Sequence, residues 1–394
     1  PAIRAMQRKG MTAEEAADYA VVGCVEPSLP GREYGWHDAA YINTAKFMEM
    51  VLNGGRCLDC GGHCPRWETC GALGKHLGPD TGSLKTYKNM EELLDSVRKQ
   101  FKYWLDQMCA CLNVIDRAHR ERKPLPYVSA FFEDCLEKGV DLSAGGAKYN
   151  GIGPQALGVA TCSDSLVTIK QLVFDEKRFT GEELLQALTD NWEGHDVLYH
   201  LINGPKVHHF GNDDDYADEM FKFIFECYCS TLSGRPTIRG GRFNPGVYSV
   251  SGNVAMGLNT NASLDGRKKG EAISDNMGPV HTSAGSHDIN GPTALANSVG
   301  KVDHSMAANG TLLNVKFPEH AVIGEAGRDN LISYIDAYLS NDPMHIQFNI
   351  MSSDKMRAAQ KEPQSYKDML VRVAGYSAYF VELAEALQND LIQR

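Results

Sequence analysis

The 394-residue sequence has no long apolar run, no internal repeat and no excess of positive charge. Without an apolar segment of about 20 residues, it is not expected to cross a membrane as a helix. The formal net charge of −11, from 39 basic and 50 acidic residues, argues against nucleic acid or an anionic membrane as a partner. The chain has 11 cysteines and no secretory signal, which predicts free thiols in a reducing cytoplasm.

Two common catalytic signatures are also missing. The glycine-rich run Gly151-Ile152-Gly153-Pro154 is not followed by a lysine at the spacing of a phosphate-binding loop. The serines and histidines do not form the nucleophile-elbow pattern of the serine hydrolases. Nucleotide-phosphate binding and serine-based hydrolysis are therefore disfavoured.

The periodicity of apolar residues and the turn signals predict a mixed α/β chain. Thr12 and Glu15 form a capping-box pattern that predicts the start of the first helix. Strands are predicted at 21–22 and 344–350, and the Gly- and Asn-rich region 238–314 is expected to contain strands and long loops. Helices are predicted at 13–20, 39–53, 89–120, 164–174, 181–192, 215–232, 329–339 and 380–393.

Two short stretches carry the most specific chemistry. Residues 23–27 are Gly-Cys-Val-Glu-Pro, and residues 372–380 are Arg-Val-Ala-Gly-Tyr-Ser-Ala-Tyr-Phe. The α-hydrogen of a glycine is easily removed, because the flanking amide and carbonyl groups stabilise the resulting radical. Glycine also adopts backbone conformations that are closed to other residues, so a tight buried loop can contain it. A cysteine thiol can return a hydrogen to such a radical reversibly, and its thiyl radical can attack an unactivated C–H bond.

Together these stretches resemble the thiyl and radical loops of the glycyl radical enzymes, in the family's order. Further family-like segments extend the resemblance over essentially the whole chain, at residues 145–150, 244–248, 265–268, 290–294 and 308–314.

The resemblance implies the family fold, a ten-stranded α/β barrel with a helical surround and a C-terminal glycyl radical domain. Residues 1–325 are then part of the barrel domain, and 326–394 are the glycyl radical domain. Relatives have a long region ahead of the thiyl loop that supplies half of the barrel. We therefore expect the chain to be the C-terminal half of a longer protein or one piece of a split one. The N-terminal half is then a required partner.

The resemblance assigns Gly375 as the stored radical, Cys24 as the thiyl radical and Glu26 as the base. A carboxylate at the position of Glu26 is typical of the dehydratases, lyases and decarboxylases of the family. It is absent from pyruvate formate-lyase, where a second cysteine adjoins the first. Abstraction of hydrogen beside a hydroxyl makes that hydroxyl more acidic, so a nearby carboxylate can accept its proton. The alternative for Glu26 is a loop carboxylate that caps backbone N–H groups.

Further residues have roles implied by the same resemblance. Asp38 lies fourteen residues after Cys24, the spacing of a substrate-binding aspartate in the glycerol and propanediol dehydratases. His37 is a candidate proton donor to departing water, although a lone histidine is often structural. Tyr248 is a candidate for the substrate cavity, as is Tyr41, with core packing as the alternative for each. In the radical loop, Arg372 is expected to pair with a carboxylate and, with Tyr376, to support the loop.

The expected activity is dehydration of a small diol or polyol. The alternatives within the family are choline trimethylamine-lyase, isethionate sulfite-lyase and arylacetate decarboxylase, and a non-catalytic glycyl-radical-like subunit is the alternative from another class. The resemblance also implies a radical S-adenosylmethionine activating enzyme as partner, no bound organic cofactor and a homodimer. It places the oxygen-sensitive enzyme in an anaerobic organism, in the cytoplasm or within a bacterial microcompartment.

Residues 56–77 resemble an insertion relative to the diol dehydratases. The segment contains the spacing Cys-x2-Cys-x3-Cys-x5-Cys and two histidines, His63 and His76. Four thiolates this close together can bind zinc or an iron–sulfur cluster, which would be structural here. The alternative is a set of packed free thiols. The candidate ligands are Cys57, Cys60, Cys64 and Cys70.

Overall fold

The computed structural model describes residues 1–58 and 76–394. The strands in these ranges are β1 Ala20–Val22, β2 Glu26–Ser28, β3 Glu33–Asn43, β4 Tyr149–Leu157, β5 His281–Thr282, β6 Gly285–Ser286, β7 Asn314–Phe317, β8 Gln347–Ile350, β9 Leu370–Arg372 and β10 Ser377–Tyr379. The helices are α1 Ala2–Arg8, α2 Ala13–Ala17, α3 Thr44–Leu52, α4 Met90–Arg122, α5 Pro126–Ser129, α6 Cys135–Lys138, α7 Val159–Ile169, α8 Gly181–Thr189, α9 Asp196–Ile202, α10 Asp215–Leu232, α11 Gly252–Gly257, α12 Pro292–Gly300, α13 Glu319–Val322, α14 Gly324–Ser340, α15 Ser353–Lys361 and α16 Glu385–Gln393.

The parallel strands form an arc. Strand β3 pairs with β4, and β4 is bridged in parallel to the segment 243–246. Val247 continues this segment and is bridged to Thr311, which leads into the parallel pair β7 and β8. Five neighbouring parallel segments are half the number that a ten-stranded barrel needs. Closure of that barrel stays a prediction, and so does the domain boundary at 325/326, which falls between β7 and β8.

Helices cover one side of this arc. Helix α4 packs on α3 and α10, and α10 packs on α7. Their buried side chains form one large apolar core with β4, to which Phe101, Leu166, Phe221 and Phe225 contribute. A separate apolar cluster lies beneath the β9–β10 hairpin and includes Val371, Val373, Phe380 and Leu391. Among the helices of the described ranges, none is both long enough and apolar enough to cross a lipid bilayer.

Several predicted elements are confirmed. The Thr12–Glu15 capping box is formed at the start of α2, and Thr180 with Glu183 forms another at the start of α8. The long amphipathic helix is α4, where the Asn89 side chain accepts a hydrogen bond from the Glu92 N–H at 3.0 Å. These elements were predictable because their caps and apolar periods are local in sequence.

Other boundaries were wrong. The helix predicted at 39–53 begins at Thr44, because residues 33–43 form β3 and pair in parallel with β4. The helix predicted at 164–174 begins at Val159 and ends in a π-helical segment, Lys170–Asp175. The region 238–314 also contains the helices α11 and α12. In the first case a partner more than a hundred residues away outweighs the local helical pattern.

A buried ion pair joins α4 to the parallel strands. The Arg239 Nε donates to Asp116 Oδ2 at 2.7 Å, and the two side chains are 1% and 4% exposed. The same guanidinium donates to the carbonyl oxygens of Tyr34 at 3.2 Å and Gly151 at 2.8 Å. It therefore ties β3, β4 and α4 together.

We expect Asp116→Asn to destabilise the full-length protein by about 3–5 kcal/mol, because the substitution leaves the Arg239 charge buried without its counter-ion. The matched control is Asp106→Asn. Asp106 lies on the same helix, α4, and its ion pair with Arg235 is more exposed. That change should cost no more than about 1 kcal/mol. Urea unfolding of both variants checks the difference, and equal losses would contradict the assigned role.

Candidate active site

The two candidate radical residues lie at the tips of two hairpins. Cys24 lies in the turn between β1 and β2, where Val22 pairs with Glu26. Gly375 lies in the turn between β9 and β10, where Arg372 pairs with Ser377. Although they are far apart in sequence, the two tips are in contact. A Cβ built on Gly375 would lie 2.6 Å from the Cys24 Cα and still closer to its Cβ and Sγ.

Two glycines make these turns possible. Gly23 has φ +62° and Gly375 has φ +82°. L-residues that carry a side chain rarely adopt such backbone angles. A Cβ on Gly23 would also lie 2.5 Å from Glu26 Oε1. Glycine at 23 thus leaves space for the Glu26 carboxylate, and glycine at 375 lets the backbone approach the Cys24 thiol.

Glu26 is buried and has partners on both oxygens. Its Oε2 accepts hydrogen bonds from the backbone N–H groups of Cys24 and Val25, each at 2.6 Å. Its Oε1 accepts one from the Tyr248 hydroxyl at 2.9 Å. Burial raises the pKa of Glu26, although these hydrogen bonds act in the opposite direction. The carboxylate therefore caps the turn, as the alternative prediction held, and also lies beside the thiol.

The environment keeps Cys24 in its neutral thiol form. The side chain is half-buried and packs with Val25, Tyr248, Leu312 and Ala374. Burial, and then the nearby Glu26 and Asp38 carboxylates, raise the pKa of Cys24 to about 11. A thiol donates a hydrogen atom only while it is protonated, so this environment suits radical chemistry better than nucleophilic attack.

A network of buried amides holds Tyr248. Its hydroxyl accepts hydrogen bonds from Gln155 Nε2 at 2.5 Å and from Asn309 Nδ2 at 3.2 Å. Its own proton is shared between two acceptors, Glu26 Oε1 and the His37 carbonyl oxygen, each at 2.9 Å. Burial and the Glu26 charge raise the pKa of Tyr248, so the phenol remains a donor.

The structure separates Asp38 from the His37 imidazole. The Asp38 side chain is exposed and accepts a hydrogen bond from the Tyr41 hydroxyl at 2.8 Å, and its charge acts on Cys24. The His37 ring lies over Gly35 and bonds to Asn309 Oδ1 through Nδ1 at 2.7 Å. Burial, followed by the Lys9 charge, lowers the pKa of His37. Among the described residues, the imidazole is connected to the network around Tyr248 through Asn309, and its role in proton donation stays a prediction.

The support of the radical loop differs from the prediction in one respect. Arg372 does not pair with a carboxylate within the described ranges; its Nε donates to the amide oxygen of Gln347 at 2.9 Å. The same oxygen accepts the Gly375 N–H at 3.1 Å. On the other side of the turn, the Val373 N–H donates to the Tyr376 carbonyl at 2.9 Å. Gln347 thus fixes the backbone on which the radical is expected.

Sequence reasoning missed three amides of this site: Gln155, Asn309 and Gln347. Asn309 lies inside one of the family-like segments, at 308–314, and Gln347 lies in the predicted strand at 344–350. Those positions were the available signals, since nothing in an isolated glutamine or asparagine indicates its partner.

The cysteine-rich segment is only partly described. The Cys57 thiol accepts a hydrogen bond from Lys46 Nζ at 3.2 Å, and Arg56 bonds to the ring of His76 at 2.9 Å. The candidate ligands Cys60, Cys64 and Cys70 lie outside the described residues, and so does His63. Metal binding by this cluster stays a prediction.

The comparisons with known proteins agree with this geometry. The sequence model of the pyruvate formate lyase-like family matches residues 1–257, and that of the glycine radical domain matches residues 274–381. The chain belongs to the pyruvate formate lyase-like family. It is 68% identical over 394 residues to the (2S)-3-sulfopropanediol dehydratase of Klebsiella oxytoca, covering all of this chain and 46% of that protein.

Solved structures in this family confirm the fold. The glycerol-bound form of the B12-independent glycerol dehydratase from Clostridium butyricum matches with a TM-score of 0.92 and 40% identity, over 100% of this chain and 47% of that one. A structure describing 1,2-propanediol dehydration in Roseburia inulinivorans matches with a TM-score of 0.92 and 38% identity, over 100% of this chain and 48% of that one. The chain therefore spans just under half the length of these relatives.

Proposed function

We propose that the protein to which this chain belongs is a glycyl radical dehydratase. The observation that carries the proposal is the contact between the Gly375 backbone and Cys24, with the Glu26 carboxylate bonded into the same turn. A radical stored on one tip can reach the thiol on the other, and a base lies within two residues of that thiol. Few other activities need a glycine packed directly against a protonated cysteine.

The proposed cycle begins and ends with the radical on Gly375. The Gly375 Cα radical takes the hydrogen atom of Cys24 Sγ, which leaves a thiyl radical and an intact glycine. The thiyl radical takes hydrogen from the substrate carbon that carries a hydroxyl, and Glu26 accepts that hydroxyl's proton. The neighbouring C–O bond breaks, and the departing hydroxide takes up the proton that Glu26 accepted and leaves as water. Cys24 returns its hydrogen to the product radical, and the thiyl radical that re-forms takes hydrogen from the Gly375 Cα, which restores the stored radical. The diol becomes an aldehyde and water, without net oxidation.

We propose a sulfonated vicinal diol, of the (2S)-3-sulfopropanediol type, as substrate. The 68% identity to the dehydratase named for that compound supports this class, and the two solved diol dehydratases support the reaction type. The proposal includes activation by a radical S-adenosylmethionine enzyme, which removes the Gly375 α-hydrogen. It also includes a homodimer and an N-terminal region that completes the substrate cavity.

The substrate test uses the full-length protein, activated anaerobically, with the sulfonated diol, propane-1,2-diol, glycerol and isethionate. We expect aldehyde formation with the sulfonate retained, and a kcat/KM at least tenfold higher for the sulfonated diol than for propane-1,2-diol. Release of sulfite would indicate C–S cleavage instead. Equal kcat/KM values for the two diols would contradict the proposed substrate class.

We expect Glu26→Gln to leave the radical intact and to lower kcat by about 100- to 10,000-fold, the usual contribution of a positioned base. Since burial raises the pKa of Glu26, activity in the unsubstituted enzyme should fall as the pH drops through that raised value and the carboxylate gains a proton. The matched control is Glu14→Gln, the same change at an exposed position of α2, which should leave kcat unchanged. Full activity in Glu26→Gln would exclude it as the base.

A further inference from the structure

Three buried side chains that the proposed reaction does not use lie close together. Asp164 lies on α7, His209 follows α9, and His287 follows β6. All three side chains are at most 5% exposed. One atom from each, a carboxylate oxygen and two imidazole nitrogens, lies within 4.8 Å of the others. Three parts of the chain that are remote in sequence thus bring their polar atoms to one point.

The hydrogen bonds of His209 fix its tautomer. Its Nε2 lies 2.7 Å from the Ile202 carbonyl oxygen, which can only accept. Nε2 must therefore carry a proton. In the neutral ring, Nδ1 then presents its lone pair to Asp164 Oδ2, which lies 3.2 Å away. Two lone pairs that face each other in a buried site repel unless a proton or a metal ion lies between them.

His287 is fixed in the same way. The Asn203 amide nitrogen donates to the carbonyl oxygens of Tyr199 and Gly266, so its Oδ1 faces His287 Nε2 at 3.2 Å. Nε2 therefore carries the proton, and Nδ1 points at Asp164 Oδ2 from 3.8 Å. Within the described part of the chain this Nδ1 is buried and has no hydrogen-bond partner. A buried acceptor without a donor is costly unless a ligand satisfies it.

The charge of Asp164 needs compensation. Its Oδ1 accepts the Phe210 N–H at 3.0 Å, while its Oδ2 faces only the two imidazoles. Across the two described ranges, no lysine or arginine forms an ion pair with it. A buried carboxylate is strongly unfavourable without a counter-charge, which here has to come from a protonated imidazole or from a bound cation. A single cation bound between the three atoms would neutralise Asp164 and satisfy both lone pairs.

We propose that Asp164, His209 and His287 bind a divalent first-row transition-metal ion. Imidazole and carboxylate ligands suit such ions, and the Nε2–H groups held by carbonyl oxygens are the usual outer-shell support of metal-bound histidines. In a tetrahedral zinc site with bonds of about 2.0–2.1 Å, ligand atoms lie about 3.3–3.4 Å apart. Here the two imidazole nitrogens lie 3.2 and 3.8 Å from Asp164 Oδ2, close to these values, and all three atoms lie within 4.8 Å of one another.

The site also has a route of entry. A cavity of about 410 Å³ lies beside it, lined by His209, His287, Asn203 and the exposed His208. Three protein ligands leave a fourth position for a water from this cavity. The proposal is independent of the radical chemistry and would hold even if the proposed activity were wrong.

The test is a Zn²⁺ titration of the full-length protein after removal of metals with a chelator. We expect the unsubstituted protein to bind one equivalent of zinc at this site, and His287→Gln to bind it there at least tenfold more weakly. His208→Gln is the matched control, because His208 lines the same cavity and bonds to Asp214 but lies outside the cluster. It should retain the full stoichiometry.

Binding of Co²⁺ distinguishes this site from the cysteine-rich segment at 56–77. Cobalt bound by nitrogen and oxygen gives d–d bands without the thiolate charge-transfer band that cysteine ligands produce. We expect the d–d bands that appear without a thiolate charge-transfer band to be lost in His287→Gln and in Asp164→Asn. Circular dichroism checks that each variant is folded. If the unsubstituted protein binds no metal, or if His287→Gln binds as much as His208→Gln, the proposal is wrong. If Asp164→Asn is misfolded, the comparison of His287→Gln with His208→Gln decides the question.

Discussion

Replacing Gly375 with alanine should abolish both the organic radical and turnover. A Cβ at this position would lie 2.6 Å from the Cys24 Cα and closer still to its side chain, so one of the two hairpin tips has to move. The φ of +82° adds strain for any L-side chain. Alanine would also make a less planar and less stabilised Cα radical. All three effects act in the same direction, and we expect activity below detection.

The measurement is anaerobic electron paramagnetic resonance of the full-length protein after treatment with its activating enzyme, reductant and S-adenosylmethionine. The unsubstituted protein should give a doublet that collapses when glycine is α-deuterated, and Gly375→Ala should give none. The matched control is Gly324→Ala. Gly324 has φ +75° but open space around its Cβ position, so it should lose about 1–2 kcal/mol of stability and keep the radical. A full doublet in Gly375→Ala would place the radical elsewhere.

The two hairpin tips could be located from the sequence alone. The residues that define each tip are adjacent in the chain, at 23–27 and 372–380, so a local pattern could locate both. Neither pattern predicts that the two tips are in contact. Nothing in the spacing of Cys24 and Gly375 would have predicted it, since loop closure over so long a stretch leaves no local signal.

The supporting residues were harder to predict for a physical reason. Gln347, on β8, accepts a hydrogen bond from the Gly375 N–H in the radical hairpin. Gln155 and Asn309 lie on two separate segments and donate hydrogen bonds to the Tyr248 hydroxyl. A neutral amide can bond to almost any polar neighbour, so its partner depends on tertiary structure alone. Arg372 shows the same limit: its charge suggested a carboxylate, whereas the neighbouring strand presents an amide oxygen.

Replacing Cys24 with alanine should separate the two halves of the proposed mechanism. Activation acts on the Gly375 α-hydrogen and does not need the thiol, so the doublet should form at close to its normal yield. Turnover should fall below detection, because no other thiol lies against Gly375 in the structure's described ranges. Removal of one half-buried sulfur should leave the fold intact, with a loss of roughly 1 kcal/mol at most.

The matched control is Cys227→Ala, which removes another partly buried thiol, on α10 and away from both hairpins. It should retain both the doublet and kcat. Incubation of the activated proteins with a substrate deuterated at the carbon that loses hydrogen adds a second readout. In the unsubstituted enzyme, Cys24 should return the deuterium to the product at the carbon that loses its hydroxyl group, and Cys24→Ala should form no deuterated product. A variant with the radical, without turnover and without deuterium transfer would assign Cys24 as the link between the stored radical and the substrate. Turnover in that variant would show that the contact at the hairpin tips is structural only.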